Sequence, residues 1–382
     1  MIFNLTILIL GLIASLYLFW RLPNLSNLVL TENTAEPKTT SEDVAGGVGL
    51  SVSIIIPARN EAETLPLILA DLKRQTLQPL EIICVNDGSS DQTRDVVLGA
   101  GGNVMLLDIT DKPKDWMGKA WACLKGAEQA KGRLLLFLDA DVRLAPGGLA
   151  KLLGTYESSN CTISVQPYHR ISKAYEELSM FFNVILIGAN GTGLPTKNSN
   201  VGLYGPLILI SKADYEGIGG HRAAQKTITD DLALGDALTS AGKKYKLFLG
   251  GGDISFRMYA EGIKALLHGW TKNFATGAGK TPARLRILMF GWVTSCTAAP
   301  LYMLQALWIG DHGWALVYLL FYGIWVAELN RIVPRVGNFS RIALFVYPIF
   351  MVVFLAVFCW SLWKKLFHRQ VTWKGRKMKP EA

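Results

Sequence analysis

An apolar run, Leu134-Leu135-Leu136-Phe137-Leu138, stops at Asp139-Ala140-Asp141. Two carboxylates spaced i, i+2 repel each other and attract a divalent cation. Mg2+ and Mn2+ favour carboxylate oxygens shared with substrate phosphates. A solvated turn, or the cap of a helix starting near Pro146-Gly147, would use the same residues. The apolar run favours the metal site, because the polar ends of buried strands are where open α/β sheets hold ligands. A second run ends in Asn86-Asp87-Gly88-Ser89-Ser90-Asp91. Asp87 can accept hydrogen bonds from a nucleotide base or ribose and Asp91 can cap the next helix, although a plain strand–turn–helix junction has the same composition. A third run closes on Pro57-Ala58-Arg59-Asn60-Glu61. In Thr229-Asp230-Asp231-Leu232 an acid pair precedes apolar residues, which suits either a general base or a helix start. Gly118-Lys119 brings an ammonium to a diphosphate or begins a helix with a solvated lysine. Gly219-Gly220-His221 forms a candidate tight loop near an acceptor, where a lone histidine carries little weight.

These groups need a scaffold that gathers them. Apolar strands are expected at 52–57, 81–86, 103–107 and 133–139, alternating with helices at 62–74, 91–98 and 119–130. That alternation predicts an α/β fold, a Rossmann-like, mostly parallel sheet with helices on both faces. In such a sheet the first three clusters share one edge, and their convergence is more specific than any single motif.

The chain is 50% hydrophobic and only 18% charged, which places part of it in lipid. Apolar segments lie at 2–20, 285–308, 314–329 and 342–363. The first lacks a basic leader and a cleavage site, and reads as an uncleaved anchor. Residues 31–49 are too polar to bury a core. The expected organisation is an anchor over 1–21, a linker over 22–50, a catalytic domain over 51–283, membrane helices over 284–363 and a basic cytosolic tail over 364–382. The net charge of +9 gathers beside apolar segments, at Arg331, Arg335, Arg341 and in the tail. That pattern suits membrane flanks and argues against nucleic acid. Five scattered cysteines without CxxC spacing exclude a disulfide framework and a zinc site, as in a reducing compartment. With the catalytic domain cytosolic, 285–329 forms a hairpin that returns at three arginines. The segment 342–363, which contains Pro348, is then expected to lie in the interface or re-enter, so that the basic tail stays cytosolic.

The order PARNE, NDGSSD, DAD and TDD, over about residues 51–240, resembles the family 2 glycosyltransferases of the GT-A fold. Further stretches resemble, more narrowly, the members of that family in staphyloxanthin-type carotenoid biosynthesis. They are Ser164-Val165-Gln166-Pro167-Tyr168-His169, Gly269-Trp270-Thr271-Lys272 with Thr276-Gly277-Ala278-Gly279, and Trp373-Lys374-Gly375-Arg376. The likeness then runs over nearly the whole chain. It implies an inverting transfer of a hexose, glucose, from a UDP-sugar to the carboxyl group of a carotenoid acid such as 4,4'-diaponeurosporenoate, at the cell membrane with Mg2+ or Mn2+. By the same resemblance Pro57, Ala58, Asn60 and Glu61 line the donor pocket, with Asp87, Lys119 and Asp139 on the nucleotide and its phosphates. Asp141 and Asp139 hold the metal. Asp231 is the base, with Asp230 a competing assignment. Leu267-His268-Gly269-Trp270 keeps only the tryptophan of the QxxRW motif of processive members, which argues against a polymerase. A hopanoid or other lipid alcohol is an alternative acceptor, and a non-catalytic membrane scaffold the alternative from another class. Other enzymes of the carotenoid pathway are candidate partners.

A hydroxyl acceptor needs a base, but a carboxylic acid with a pKa near 4.3 is already ionised at neutral pH. Asp231→Ala is therefore expected to cost less activity than Asp141→Ala. An anionic acceptor also calls for a cation, for which Lys272, His268 and Arg257 are candidates. Trp270 and the Trp373-Lys374-Gly375-Arg376 tail are expected at the membrane interface.

Overall fold

A computed structural model describes residues 2–25, 51–195, 201–225, 227, 229–367, 371–373 and 376–378, with side chains except at 272–280 and after 364. The polar linker at 31–49, the side chain of Lys272 and most of the basic tail lie outside the described residues. The chain divides into two compact units. One comprises Asn24–Pro167 and Gly202–Phe256, the other Met1–Pro23, Tyr168–Val201 and Arg257–Ala382. The stretch 51–283 thus contributes to both.

The first unit holds strands β1 (Val52–Ala58), β2 (Glu81–Asn86), β3 (Val104–Asp108), β4 (Leu134–Leu138), β5 (Val142–Leu144) and β6 (Thr162–Gln166). After β7 (Tyr168–His169), which belongs to the second unit, come β8 (Leu207–Ser211), β9 (Tyr245–Leu249) and β10 (Ile254–Phe256). Seven of these form one sheet in the order β3-β2-β1-β4-β8-β6-β9. β1 to β4 pair in parallel, β8 runs antiparallel between β4 and β6, and β9 is parallel to β6. β5 and β10 make a separate antiparallel ribbon.

Side chains alternate across a strand. Ile54, Ile56, Cys84 and Leu136 therefore enter one core with Leu65, Ile68, Leu149 and Leu152 from helices Leu65–Lys73 and Gly148–Ser159. Ile55, Ile83, Val85 and Phe137 enter the other core with Ala122, Cys123, Leu234 and Leu238 from helices Gly118–Gln129 and Asp230–Ser240. Burial on both faces is why these strands read as continuous apolar runs. The antiparallel β8 was not anticipated from the alternation of strands and helices.

The second unit is helical. Helix Ile2–Leu18 has 17 residues, about 26 Å and short of the ~30 Å hydrocarbon core. It packs on helix Ala283–Trp308. A Cβ added at Gly11 would lie 2.0 Å from the Ser295 Cβ, so only glycine permits this approach. Ser295 Oγ donates to Leu8 O (3.0 Å), and Trp292 Nε1 donates to Ser15 Oγ (2.9 Å). Small residues and side-chain hydrogen bonds are how helices associate in lipid, where apolar burial contributes little. Ser15 Oγ also donates to Glu328 Oε1 (2.7 Å), which pairs with Arg331 (2.6 Å), and Arg331 Nη1 donates to Phe19 O (2.9 Å). The acid and base of this apolar helix thus neutralise each other.

Among the described residues three helices are long and apolar enough to cross a membrane, at Ala283–Trp308, His312–Arg335 and Tyr347–Lys364. Pro300 lies inside the first. Lacking an N–H, it leaves the Cys296 carbonyl without its helical donor, and the Tyr347 hydroxyl donates to that oxygen at 3.0 Å. Pro348 stands in the first turn of Tyr347–Phe367, where a missing N–H costs nothing, so this helix runs unbroken.

Two expectations are corrected here. Trp270 presents no face to lipid or water: it is 3% exposed, its ring stacked on Phe182 with centroids 4.7 Å apart and its Nε1 donating to Ser179 Oγ (3.3 Å). Arg257 is committed to the fully buried Glu176, donating to Oε1 from Nε (3.0 Å) and Nη2 (2.7 Å), because a buried carboxylate requires a paired cation.

Candidate active site

The parallel pairings that set Ala58 opposite Asn86 and Ile55 opposite Phe137 bring the carboxyl ends of β1, β2 and β4 side by side. The three strand-end clusters therefore share one edge, as open α/β sheets require of a ligand crevice.

The first two clusters are tied together. Asn60 adopts φ 54, in the left-handed region, and its Oδ1 accepts from Ser90 N (2.8 Å) while its own N donates to Ser89 Oγ (3.0 Å). Glu61 N donates to Thr93 Oγ1 (2.8 Å) and Ala62 N to Asp91 Oδ2 (3.0 Å). Asp91 also accepts from the Thr93 hydroxyl and Thr93 N at the start of helix Thr93–Ala100; against burial, which would raise it, the hydroxyl and then the Ala62 and Thr93 N–H groups hold its carboxyl below the usual range. Asn60 thus serves the loop architecture. Ala58 O accepts from Asp87 N (3.0 Å), and the Pro57 backbone pairs with Val85. Asp87 is 5% exposed. Arg59 Nη1 donates to the Asp87 carbonyl (2.6 Å) and stands 3.7 Å from its carboxylate, so Arg59 orients Asp87.

Beyond β4 the chain places Asp139 against Lys119, with Nζ 2.6 Å from Oδ1. Lys119 Nζ also donates to Gly205 O (3.2 Å), and Asp139 N to Pro206 O (2.9 Å). A Cβ added at Gly205 would lie 3.4 Å from Asp231 Oδ2 and 3.5 Å from Lys119 Nζ, so lysine and aspartate flank this glycine together. Asp230 and Asp231 begin helix Asp230–Ser240, and Asp231 Oδ1 accepts from Leu232 N (2.9 Å). That helix is seated by two glycines: a Cβ at Gly235 would come within 2.8 Å of the Gly202 Cα. Asp141 does not cap the following helix, whose N-cap is Gly147.

The electrostatics set several acids against one ammonium. Burial, then the Asp139 and Glu61 carboxylates, push the Asp141 pKa up to about 7. Burial and Asp230 raise Asp231 to about 6, against the pull of Lys119. Burial would lower Lys119, but Asp139 and Asp230 outweigh it and hold the ammonium above its ordinary value. This uncompensated negative charge is what a divalent cation relieves. Among the described residues no group of three or more His, Cys, Asp or Glu side chains is placed to hold a metal ion. The acid pair fits a cation that takes its remaining oxygen ligands from phosphate and water, as Mg2+ and Mn2+ do.

His221 is more than a loop residue. It is 2% exposed, its ring packs edge-on to Phe137 (4.8 Å), and its Nδ1 lies 2.9 Å from the Tyr215 hydroxyl. Its backbone N–H donates to that hydroxyl (3.2 Å), so the hydroxyl hydrogen is available to Nδ1. Burial lowers its pKa to about 4. The residues missed from sequence are Gly205 and Pro206. A Gly-Pro pair ahead of the apolar Leu207–Ser211 run was the available signal.

Comparison with known proteins agrees with this geometry. The chain matches the Glycosyl transferase family 2 over residues 53–203. It is similar to 4,4'-diaponeurosporenoate glycosyltransferase of Staphylococcus haemolyticus, 32% identical over 333 residues that cover 85% of this chain and 88% of the relative. The protein of that name in Staphylococcus aureus strain MRSA252 is 34% identical over 335 residues, with the same coverages. A mannosyltransferase from Pyrobaculum calidifontis, solved with GDP-Man and Mn2+, aligns with a TM-score of 0.55 at 17% identity, covering 95% of this chain and 98% of its own, and shares the fold. A crevice of strand-end carboxylates on a GT-A sheet, in a chain this similar to whole relatives, identifies the protein as a glycosyltransferase belonging to family 2.

Proposed function

We propose that this enzyme transfers a hexose, glucose, from a UDP-sugar to the carboxyl group of a carotenoid acid such as 4,4'-diaponeurosporenoate, with inversion, in carotenoid biosynthesis. The observation that carries the reading is the similarity to the staphylococcal 4,4'-diaponeurosporenoate glycosyltransferases along 85% of the chain. The many apolar residues outside the sheet unit suit an acceptor that partitions into lipid.

In this reading Asp87, held by Arg59, accepts hydrogen bonds from the nucleoside, and Glu61 adds negative charge beside the acid pair. Asp139 and Asp141 hold Mg2+ or Mn2+, which supplies Lewis-acid neutralisation of the leaving diphosphate. Lys119, kept charged by Asp139 and Asp230, adds a second cation for the developing phosphate charge. The seated helix presents Asp231, with Asp230 behind it, to the attacking group. An acceptor carboxylate attacks the anomeric carbon from the face opposite UDP and needs no base. The transferase region 51–283 is cytosolic, residues 1–21 and 284–363 hold it at the cell membrane, and the tail 364–382 remains cytosolic. Other enzymes of the pathway supply the acid and consume the glycosyl ester.

The test incubates membranes containing the full chain with UDP-glucose and 4,4'-diaponeurosporenoate and analyses lipid extracts by mass spectrometry. A hexosyl ester, labile to mild base, is the expected product. Product only with a hopanoid or sphingoid alcohol would replace the acceptor, and no UDP release with any lipid acid or alcohol would overturn the assignment.

A further inference from the structure

The second unit contains its own ruler. Helices Ala283–Trp308 and His312–Ile332 are joined by a short turn. Tyr302 and Tyr318, near that turn, have ring centroids 5.5 Å apart, so the two helices run antiparallel side by side. Their open ends are level. Arg284 bonds the Tyr17 hydroxyl, and Arg331 donates to Phe19 O (2.9 Å), two residues further along the same segment.

Against this ruler the last apolar segment has a definite depth. Gly337 bridges to His169, and Ser340 N donates to Glu177 Oε1 (3.0 Å), just past the open end of the hairpin. Tyr347 then reaches Cys296 O (3.0 Å) and stacks on Tyr322 (5.2 Å). Those partners lie about 18 Å and about 15 Å from the open end at 1.5 Å per residue. From there the chain climbs back. Phe354 meets Phe182, which stacks on Trp270. Ser361 Oγ donates to Thr271 O (2.5 Å), on helix Ile263–Lys280, which leads directly into the open end. Tyr347 to Ser361 spans about 21 Å, enough for the return from mid-depth and too little to cross from there and come back.

We infer that residues 341–364 enter and leave the apolar layer on one side, forming a half-depth wedge whose outer face fits the acyl chains of a single leaflet. One stripe of its helix faces the unit: Tyr347 is 0% exposed, Met351 1%, Phe354 3% and Ser361 1%. The opposite stripe is open and apolar, with Ile349 at 62%, Val352 at 63% and Trp360 at 51%. At its upper end Trp360 stacks on Trp363 (5.1 Å) and Lys364 Nζ lies 5.5 Å over the Trp360 ring, the aromatic and basic pairing found at membrane–water boundaries. The inference rests on the hairpin crossing the membrane and is independent of the sugar and the acceptor.

One added cysteine at each of three places tests it in the full chain, in a Cys161→Ser, Cys359→Ser background that keeps only the buried Cys84, Cys123 and Cys296. Arg335→Cys marks the open end, His312→Cys the hairpin turn and Glu381→Cys the C-terminus. An impermeant maleimide is applied to intact cells and to inside-out vesicles, with detergent-solubilised protein as the measure of full reactivity. The wedge predicts that positions 335 and 381 label together, in vesicles only, while 312 labels in cells only. Labelling of 381 with 312 would make the segment a full span and overturn the inference. Labelling of 312 with 335 would remove the ruler and overturn it equally. Should a variant fail to fold, protease removal of a C-terminal tag from the otherwise unchanged chain decides the same question: loss of the tag in intact cells refutes the wedge.

Discussion

Replacing Asp231 separates two chemistries that the same site could perform. In Asp231→Asn the shape and the Leu232 N contact at Oδ1 (2.9 Å) can persist, but the charge and the basicity are lost. A positioned general base is worth about 10²- to 10⁴-fold when the acceptor is a hydroxyl. A carboxylic acid of pKa about 4.3 is ionised roughly 500 to 1 at pH 7, so that factor vanishes. The Asp231 carboxylate instead stands near an incoming anion. Its removal is expected to change kcat/KM with a carotenoid acid by less than about tenfold, about 1.4 kcal/mol, in either direction. Asp141→Asn removes half of the acid pair and is expected to cost at least about 100-fold. The pH profile gives an independent reading. With its pKa near 6, Asp231 acting as a base is about 9% ionised at pH 5 and about 91% at pH 7. A hydroxyl acceptor should then gain about tenfold between those pH values, and the acid acceptor should gain little. The assay is UDP release from membrane preparations, with the acid and the matching primary alcohol compared in parallel. At saturating Mn2+, which keeps the Asp141 carboxyl ionised, equal losses above 100-fold in both variants with the acid, or a steep rise in rate through pH 6 with the acid that Asp231→Asn abolishes, would refute the division of labour.

Three further outcomes follow from the structure. Chelation with EDTA should abolish transfer and Mn2+ or Mg2+ restore it; full activity in excess chelator would rule out the cation assigned to Asp139 and Asp141. Tyr347→Phe removes the donor to Cys296 O and should cost about 1–3 kcal/mol, the penalty of an unsatisfied buried carbonyl, read as a lower melting temperature in detergent; an unchanged melting temperature would show that another donor replaces it. His221 is buried neutral with its pKa lowered to about 4. A depressed folded pKa contributes stability that is full above the unfolded value near 6.5 and is lost as pH falls toward 4, about 2 kcal/mol by pH 5. His221→Gln should flatten the decline in thermal stability between pH 7 and 5, and an unaltered slope would remove His221 as its source.

Much of the candidate crevice is legible in the sequence. Buried strands covered on both faces produce uninterrupted apolar runs, and the residues that end them must face solvent or ligand. That is why Asp139 and Asp141, Asp87 and the Arg59-Asn60-Glu61 cluster could be read as strand ends, and why β1, β2 and β4 were placed within a residue or two of their observed limits. The likeness to family 2 glycosyltransferases was equally local, carried by short motifs in order. Tertiary structure decided which of those residues meet. Lys119 finds Asp139 and Gly205 because β8 inserts antiparallel beside β4, and strand order depends on which faces the whole chain can bury. Asn60, read from the sequence as a donor-pocket residue, also laces two loops together, because its partner Ser90 is brought to it by the β1–β2 pairing. Trp270 and Arg257 looked available until Phe182 and Glu176 enclosed them. Pro348 falls in the first turn of its helix, where a missing N–H breaks nothing, and the depth of that turn is marked by the Tyr347 contacts to Cys296 and Tyr322. Composition and periodicity are properties of neighbours along the chain. Pairing, burial and depth belong to residues tens to hundreds of positions apart, and only the folded chain brings those together.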